Sequence, residues 1–317
     1  TYLHKLVKAG HRVAVCDQLE DPKMVKGIVK RGVTDMLTPG IATNDKLLEH
    51  KSNNFLAAVF MQQDQGGIAF LDITTGEFIT AQGNTEYIDK LLQSLRPAEV
   101  LFPKNYQSEF VNQFGSEFYT YGLDSWIFDK GFAEELLLKQ FQTQTLKGYG
   151  IEDQDLSIIA AGAILHYLKE TEHPHLQHIQ SISRIHQNDF LWMDRFTIRN
   201  LELIGNGADR KGLFDIIDFT KSPMGARLLK RWLIFPLQSI EQINERLDVV
   251  ERFINQSTDN FHIIDKSISY YFSDKTSIAN IRYPIDTELI KDSSIIINLA
   301  AEHRDDVTPK SLYDETN

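Results

Sequence analysis

The stretch TIRNLELIGNGADRKGLFDIIDFTKSPMGARLLKRWLIFP, from Thr197 to Pro236, is where helical periodicity, capping chemistry and local positive charge agree. Ser222 is placed to cap a helix N-terminus, and Pro223 suits the first turn, where a missing amide hydrogen is no loss. Leu228, Leu229, Trp232 and Leu233 then fall on one side at helical spacing. Arg227, Lys230 and Arg231 point elsewhere, and Pro236 ends the helix. Upstream, Phe196 to Leu203 repeats the pattern, with Ile198, Leu201 and Leu203 apolar and Arg195 and Arg199 polar. The periodicity predicts two helices of an α-helical core joined by a Gly-rich turn.

The residues are more specific than their pattern. Asp194 to Leu203 (DRFTIRNLEL) is followed by Leu213-x-x-x-Ile217-Asp218-x-Thr220-x-Ser222-Pro-Met-Gly-Ala-Arg-Leu-Leu, then by Arg231-Trp232-Leu233 and Pro236. These elements, in this order, resemble the start of the core domain of the MutS family of DNA mismatch-repair proteins. A further helix, capped by Ser239, puts Ile243, Leu247, Val250 and Ile254 on its apolar side. Its Ile243 to Phe253 string again resembles that core.

Composition bounds the alternatives. The 317 residues predict about two domains, and 42% hydrophobic with 24% charged residues is ordinary for a globular protein. No apolar run approaches the roughly 20 residues of a membrane helix, and no signal peptide opens the chain, so a cytoplasmic protein without a membrane partner is expected. The one cysteine, Cys16, lies beside the apolar run Val13 to Val15 and is expected to be buried and inert.

A net charge of -11 argues against a general nucleic-acid binder, but the charge is unevenly placed. Residues 1–42 carry seven Lys/Arg against four Asp/Glu, and residues 184–236 carry nine against six. Residues 43–183 carry nine against nineteen, and residues 257–317 carry six against eleven. Any DNA contact is therefore expected from the two basic segments.

Taken from its start, the chain offers a short helix from Tyr2 to Ala9 ending at Gly10. A strand from Arg12 to Gln18, a second strand within Gly27 to Leu37 and a Thr38-Pro39-Gly40 turn follow. This order resembles the closing third of the family's mismatch-binding domain, so residues 1–42 are assigned to it. The family's Phe-x-Glu motif, which stacks on the mispaired base, does not precede Tyr2. From Asn54 short strands follow: Asn54 to Met61, Gly67 to Ile73 and Glu77 to Ala81. A helix is expected at Thr85 to Leu95, then a strand at Glu99 to Phe102 and helices at Ala133 to Phe141 and Leu156 to Lys169. Residues 43–180 resemble the family's connector domain, which has an RNase H-like fold. The fold class expected is thus α/β plus α: an RNase H-like connector, then a helical core segment over residues 181–256, with partial α/β elements at both ends.

Nucleases of RNase H-like fold hold metal ions on strand carboxylates, and Asp72 is the one candidate on a core strand. A capping role for it is the stronger expectation, because nothing fixes Asp124, Asp129, Glu134 or Glu135 around it. The cluster Glu172-His173-Pro174-His175-Leu176-Gln177-His178 has a helix-breaking proline and no nearby cysteine, so it reads as a linker rather than a zinc site. No catalytic or metal site is expected in the chain.

After Asn255 the pattern turns strand-rich, and IINLAAEHRDDVTPKSLYDETN is similar to extended short-chain dehydrogenase/reductase enzymes that epimerise nucleotide sugars. That resemblance implies a partial Rossmann-like segment over residues 257–317. In it Asp265 would accept bonds from the adenosine ribose hydroxyls and Leu299, Ala300 and Ala301 would lie against NAD. The Gly-rich pyrophosphate loop has no place before Phe261.

Two functions follow. The favoured one is a part of a mismatch-recognition protein that binds double-stranded DNA through phosphate contacts at Lys23, Lys26, Lys30 and Arg31. The resemblance further implies downstream mismatch-repair partners and a homodimer, with ATP and Mg used by an ATPase elsewhere in the intact family. No Walker A motif occurs in the chain, so the chain itself is expected not to be an enzyme. The alternative is an NAD-dependent nucleotide-sugar epimerase.

Overall fold

A computed structural model describes residues 2–20, 29–42, 52–171, 173, 176–191, 193–205 and 211–255. Two units are distinguished, residues 1–238 and residues 239–317.

The first unit begins with helix α1 (Tyr2–Lys8) and an antiparallel two-stranded ribbon, β1 (Val13–Gln18) and β2 (Arg31–Leu37). Gly10 has φ +84, as a helix-ending glycine requires. The ribbon has a bulge between Val15 and Cys16. Cys16 is exposed, against the expectation of a buried thiol, because on the described ribbon its side chain falls on the uncovered face.

Strands β3 (Phe55–Gln62), β4 (Gln65–Asp72) and β5 (Glu77–Asn84) form an antiparallel meander in continuous register, Phe55 opposite Asp72 and Asp72 opposite Glu77. After α2 (Thr85–Leu95) the chain returns as β6 (Glu99–Pro103) parallel to β3. Helix α3 (Gln107–Phe114) leads to β7 (Thr120–Leu123), parallel to β6. Helices α4 (Lys130–Phe141) and α5 (Asp155–Glu170) follow, then the two-residue strand β8 (Ser183–Arg184) beside β5. The six strands lie in the order β7-β6-β3-β4-β5-β8.

Strand alternation sorts the core into two layers. Leu56 and Ala58 face α4 and α5, while Phe55, Ala57 and Val59 face α2, α3 and the helices beyond residue 190. Helix α5 is buried over Leu156–Leu165, Tyr167 and Leu168, which is why its sequence shows little amphipathic period. Two glycines let backbones meet: a Cβ at Gly67 would strike the Leu156 backbone, and one at Gly162 would strike Ala133 of α4.

Helix α2 spans the predicted residues, with Asn84 Oδ1 accepting from Tyr87 N at 2.9 Å. Helix α3 and strand β7 are additions to the elements that the sequence pattern predicts.

Beyond β8 come α6 (Arg195–Asn200), capped by Asp194, α7 (Leu213–Ile217) and α8 (Pro223–Ile234). Ser222 caps α8 as expected, its Oγ accepting from Gly225 N at 3.1 Å. The buried side of α8 differs from the expected one. Ala226 and Ile234 are buried, whereas Leu228 is 48% and Trp232 36% exposed. Leu233, also on the predicted side, does pack against the sheet-side core, so the buried side is shifted rather than reversed.

The second unit is described over α9 (Ile240–Asn255). Ser239 Oγ accepts from Gln242 N at 3.4 Å, and Ile243, Leu247 and Val250 form the expected stripe, exposed among the described residues.

Lys90, on α2, is 5% exposed, and burial pushes its ammonium group down to about 8 from an ordinary 10.5. A folded-state value below the unfolded one penalises folding at pH below about 8, and the penalty disappears as pH rises towards 10.5. Lys90→Met removes the titrating group and with it this pH-dependent penalty, which is worth roughly 2–4 °C of melting temperature for each kcal/mol. It should also flatten the gain that the natural chain shows between pH 8 and 10.5. Scanning calorimetry of both proteins across that window checks this; parallel curves would exclude a buried ammonium penalty.

Candidate nucleic-acid interface and the joints behind it

Of the four residues predicted to meet DNA phosphates, Lys30 and Arg31 are described and exposed where β2 begins. The Lys30 backbone is fixed on both sides: its amide donates to Glu20 Oε2 at 3.2 Å and its carbonyl accepts from Leu19 N at 2.9 Å. Lys23 and Lys26 lie outside the described residues. The ribbon thus presents two solvated cations on a pinned backbone, the arrangement phosphate contacts need.

The ribbon is tied to the six-stranded sheet by a residue that sequence reading passed over. Glu99, first in β6, is 2% exposed. It accepts hydrogen bonds from Thr38 Oγ1, from Gly40 N at 3.1 Å and from the Tyr167 hydroxyl at 2.7 Å. Burial, and after it the Glu99 charge, pushes the Tyr167 phenol far above its usual range, so it stays protonated and donates. Arg12 of the ribbon approach places its guanidinium 3.6 Å from the Tyr121 ring centroid and 5.4 Å from that of Tyr167. Asn54 Nδ2 donates to the Pro39 carbonyl at 3.0 Å. The one signal in the sequence was an acid opening the otherwise apolar run Glu99 to Pro103.

A second joint connects the sheet to the helices that follow. Arg231 of α8 donates to Glu77 Oε1 at 2.5 Å, and Asn53 Nδ2 donates to Glu77 Oε2 at 3.0 Å and to Asp72 Oδ2 at 2.9 Å. Ile234, Phe235, Met193, Ile198 and Leu203 share a core with Phe55, Phe70 and Tyr87. The ion pair is partly exposed and contributes at most about 1 kcal/mol, while burying Ile234 or Phe235 contributes roughly 1.5–3 kcal/mol each. Apolar burial holds this joint, and the ion pair orients it.

Asp72 takes a structural role. Its carboxylate accepts from Asn53 Nδ2, Asn54 N, Thr74 N and Thr74 Oγ1, which occupies both oxygens. Among the described residues no group of three His, Cys, Asp or Glu side chains could hold a metal ion. Of the histidine cluster, His173 bonds the Thr171 carbonyl and His178 that of Ile73. Asp265, Leu299, Ala300 and Ala301 lie outside the described residues.

The first joint is testable. Glu99→Ala leaves three buried donors without an acceptor, so an expected loss of about 3 kcal/mol or more follows from the 1–3 kcal/mol cost of each orphan. Adding Tyr167→Phe removes one orphan, so the double variant should be less destabilised than the two single losses summed, by about 1 kcal/mol. Urea denaturation of the four proteins measures the coupling, and strict additivity would refute the shared bond.

Comparison with known proteins places these elements. Residues 1–46 match the model of MutS domain I, residues 54–180 that of MutS domain II and residues 196–283 that of MutS domain III. The domain III match runs through residue 283 and so covers Asp265, where the epimerase reading had placed a ribose-binding acid. That alternative, with its NAD site, is not supported. The chain is 54% identical over 268 residues to the DNA mismatch repair protein MutS of Cytophaga hutchinsonii, covering 84% of this chain and 31% of that protein. It is 57% identical over 255 residues to the protein of the same name from Christiangramia forsetii, with 80% and 29% covered. To that of Flavobacterium johnsoniae it is 55% identical over 269 residues, with 84% and 31% covered. The chain therefore spans about 30% of the length of the curated relatives it matches. Three successive domain models in their family order, and relatives identical at more than half of the aligned positions, establish that this chain belongs to the MutS family.

Proposed function

We propose that this chain acts in DNA mismatch repair as the backbone-gripping and coupling part of a mismatch-recognition protein. The observation that carries the reading is the pair of joints: Glu99 fixes the basic ribbon to the connector sheet, and α8 fixes the same sheet to the start of the core. A strain applied at the core end is delivered to the DNA-facing end through packed and hydrogen-bonded groups rather than through a loose linker.

The connector has an RNase H-like fold on this reading. An antiparallel β3-β4-β5 meander continued by β6 and β7 parallel to β3 supports it. The chain works there as a scaffold, since Asp72, the acid on β4, is occupied by turn hydrogen bonds. Lys23, Lys26, Lys30 and Arg31 contact phosphates of double-stranded DNA. No phenylalanine occurs in residues 1–42, so the stacking reader of the family is not supplied by that segment. No Walker A sequence occurs either, so ATP and Mg are handled by another part of the intact protein, in the cytoplasm, as a homodimer that hands the signal to downstream repair proteins. Among the described residues no helix is long and apolar enough to cross a membrane.

A filter-binding titration of matched and mismatched duplexes at two salt concentrations tests the reading. Equal, weak affinities that fall with salt are expected, and Lys30→Ala with Arg31→Ala should lower the logarithmic salt slope by roughly 0.9 for each phosphate that the variant no longer neutralises. An unchanged slope would remove these residues from the interface, and clear preference for the mismatch would overturn the division of labour.

A further inference from the structure

Strands β3 and β6 separate before either ends. Their ladder runs from Leu56 opposite Glu99 to Ala58 opposite Leu101 and stops there, although β3 continues to Gln62 and β6 to Pro103. Pro103 has no N–H with which to extend the ladder, and β6 stays with β7 instead, Pro103 opposite Leu123. A cavity of about 330 Å³ opens in the gap, lined by Phe60 and Met61 of β3, by Pro103 and by the residues that follow it. It lies outside the carboxyl ends of strands whose onward connections diverge, β6 to α3 in one layer and β7 to Ile127 and α4 in the other. Open α/β sheets hold small ligands at such a divergence, and this volume is within the usual range.

The polar groups around the cavity are oriented but not used up. Asn105 Oδ1 accepts from Ser125 Oγ at 3.1 Å and Gln113 Oε1 accepts from the Tyr106 hydroxyl, which leaves both side-chain NH2 groups to donate. Burial, and after it the Glu109 charge, pushes the Tyr106 phenol up to about 12, so it stays protonated and holds the Gln113 amide in that orientation. Glu109 stands one turn before Gln113 on the same side of α3, is exposed, and among the described residues its carboxylate has no hydrogen bond or ion pair. Gln63, first of the two loop residues between β3 and β4, holds φ +56, a conformation that hairpins ordinarily give to Gly, Asn or Asp, and it too lines the cavity. Among the described residues no lysine or arginine lines the cavity, so a phosphate or carboxylate would meet no counter-charge there.

We propose that this cavity binds a guanine base, whose edges match the groups left over. Its O6 and N7 accept from the Asn105 and Gln113 amides, and its two adjacent donors, N1–H and the 2-amino group, meet the two oxygens of Glu109. Phe60, Met61 and Tyr106 supply apolar surface for the planar ring. Adenine and cytosine would set a ring-nitrogen lone pair against the carboxylate, and thymine offers it a single donor. The base comes from a free nucleoside or from an unstacked guanine in a single strand. The site does not depend on the DNA-binding reading above, since no residue of the ribbon contributes to it.

Isothermal titration of the full chain with guanosine, inosine and adenosine tests this. Guanosine should bind saturably, while inosine, which lacks the 2-amino donor, and adenosine should bind about tenfold or more weakly. Glu109→Gln should weaken guanosine binding by a similar factor and bring guanosine and inosine closer together. Its melting temperature should be unchanged, since the exposed carboxylate holds nothing in the fold. Oligothymidylates with and without one central guanine separate the sources: a gain from the guanine supports a site open to a single strand, and no gain, with guanosine still bound, supports one for the free nucleoside. No saturable guanosine binding, equal affinities for guanosine and inosine, or a Glu109→Gln variant that binds guanosine as the natural chain does, would overturn the site.

Discussion

A carboxyl group taken out of water must find donors or lose several kcal/mol, and Glu99 is the group that imposes this demand on the chain. Its three donors come from two separate places: Thr38 and Gly40 from the turn that leaves the ribbon, Tyr167 from the last turn of α5. The turn must sit at one height on the sheet for all three bonds to form. An apolar residue of similar volume could bury as much surface, but it would accept many placements of the turn, because apolar contact has no direction. The acid's contribution is registration of one segment on another, and its cost is offset only when every donor is in place.

The second joint is built on the opposite principle. There the apolar residues Ile234, Phe235, Met193 and Ile198 supply the attraction, and the Arg231–Glu77 pair, partly open to solvent, selects an orientation. Such a joint tolerates small rotations, because side chains can repack while an exposed ion pair follows.

Much of this was readable in the amino-acid sequence, and the parts that were not share a cause. Helices α2 and α8 were legible because Asn84 and Ser222 cap them locally and because their ends are set by neighbours a few residues away. The meander was legible as short apolar runs separated by polar turn residues. Glu99 was not, since its partners lie 59 to 68 residues away and nothing near it distinguishes a buried acid from a surface one. The buried side of α8 was misread in part: Leu233 packs against the core, but Leu228 and Trp232 stay exposed while small Ala226 is buried, because hydrophobicity does not say which residue a neighbour covers. Cys16 was misread because apolar neighbours along a strand say nothing about whether a second layer covers it. Helix α3 and β7 went unseen because each is short, and α3 is buried through contacts with another element, such as Phe110 stacked on Phe102 of β6.

The two joints meet at adjacent residues. Asn54 reaches the Pro39 carbonyl on the ribbon side, while Asn53 reaches Glu77 and Asp72 on the core side. Asp72 ties the pair together by also accepting from the Asn54 amide. Because Phe55, Asp72 and Glu77 stand in one row across β3, β4 and β5, this link crosses a single end of the sheet and never passes through its interior. Arg231, Glu77, Asn53, Asp72, Asn54 and the Pro39 carbonyl thus form one continuous run of polar contacts from α8 to the turn beside Glu99. Side-chain amides are suited to such a place: each donates twice and accepts once or more, so it can bridge two groups without carrying a charge that would compete with either acid. The sheet's hydrophobic layers fix the strands to one another, and the polar edge links the two joints.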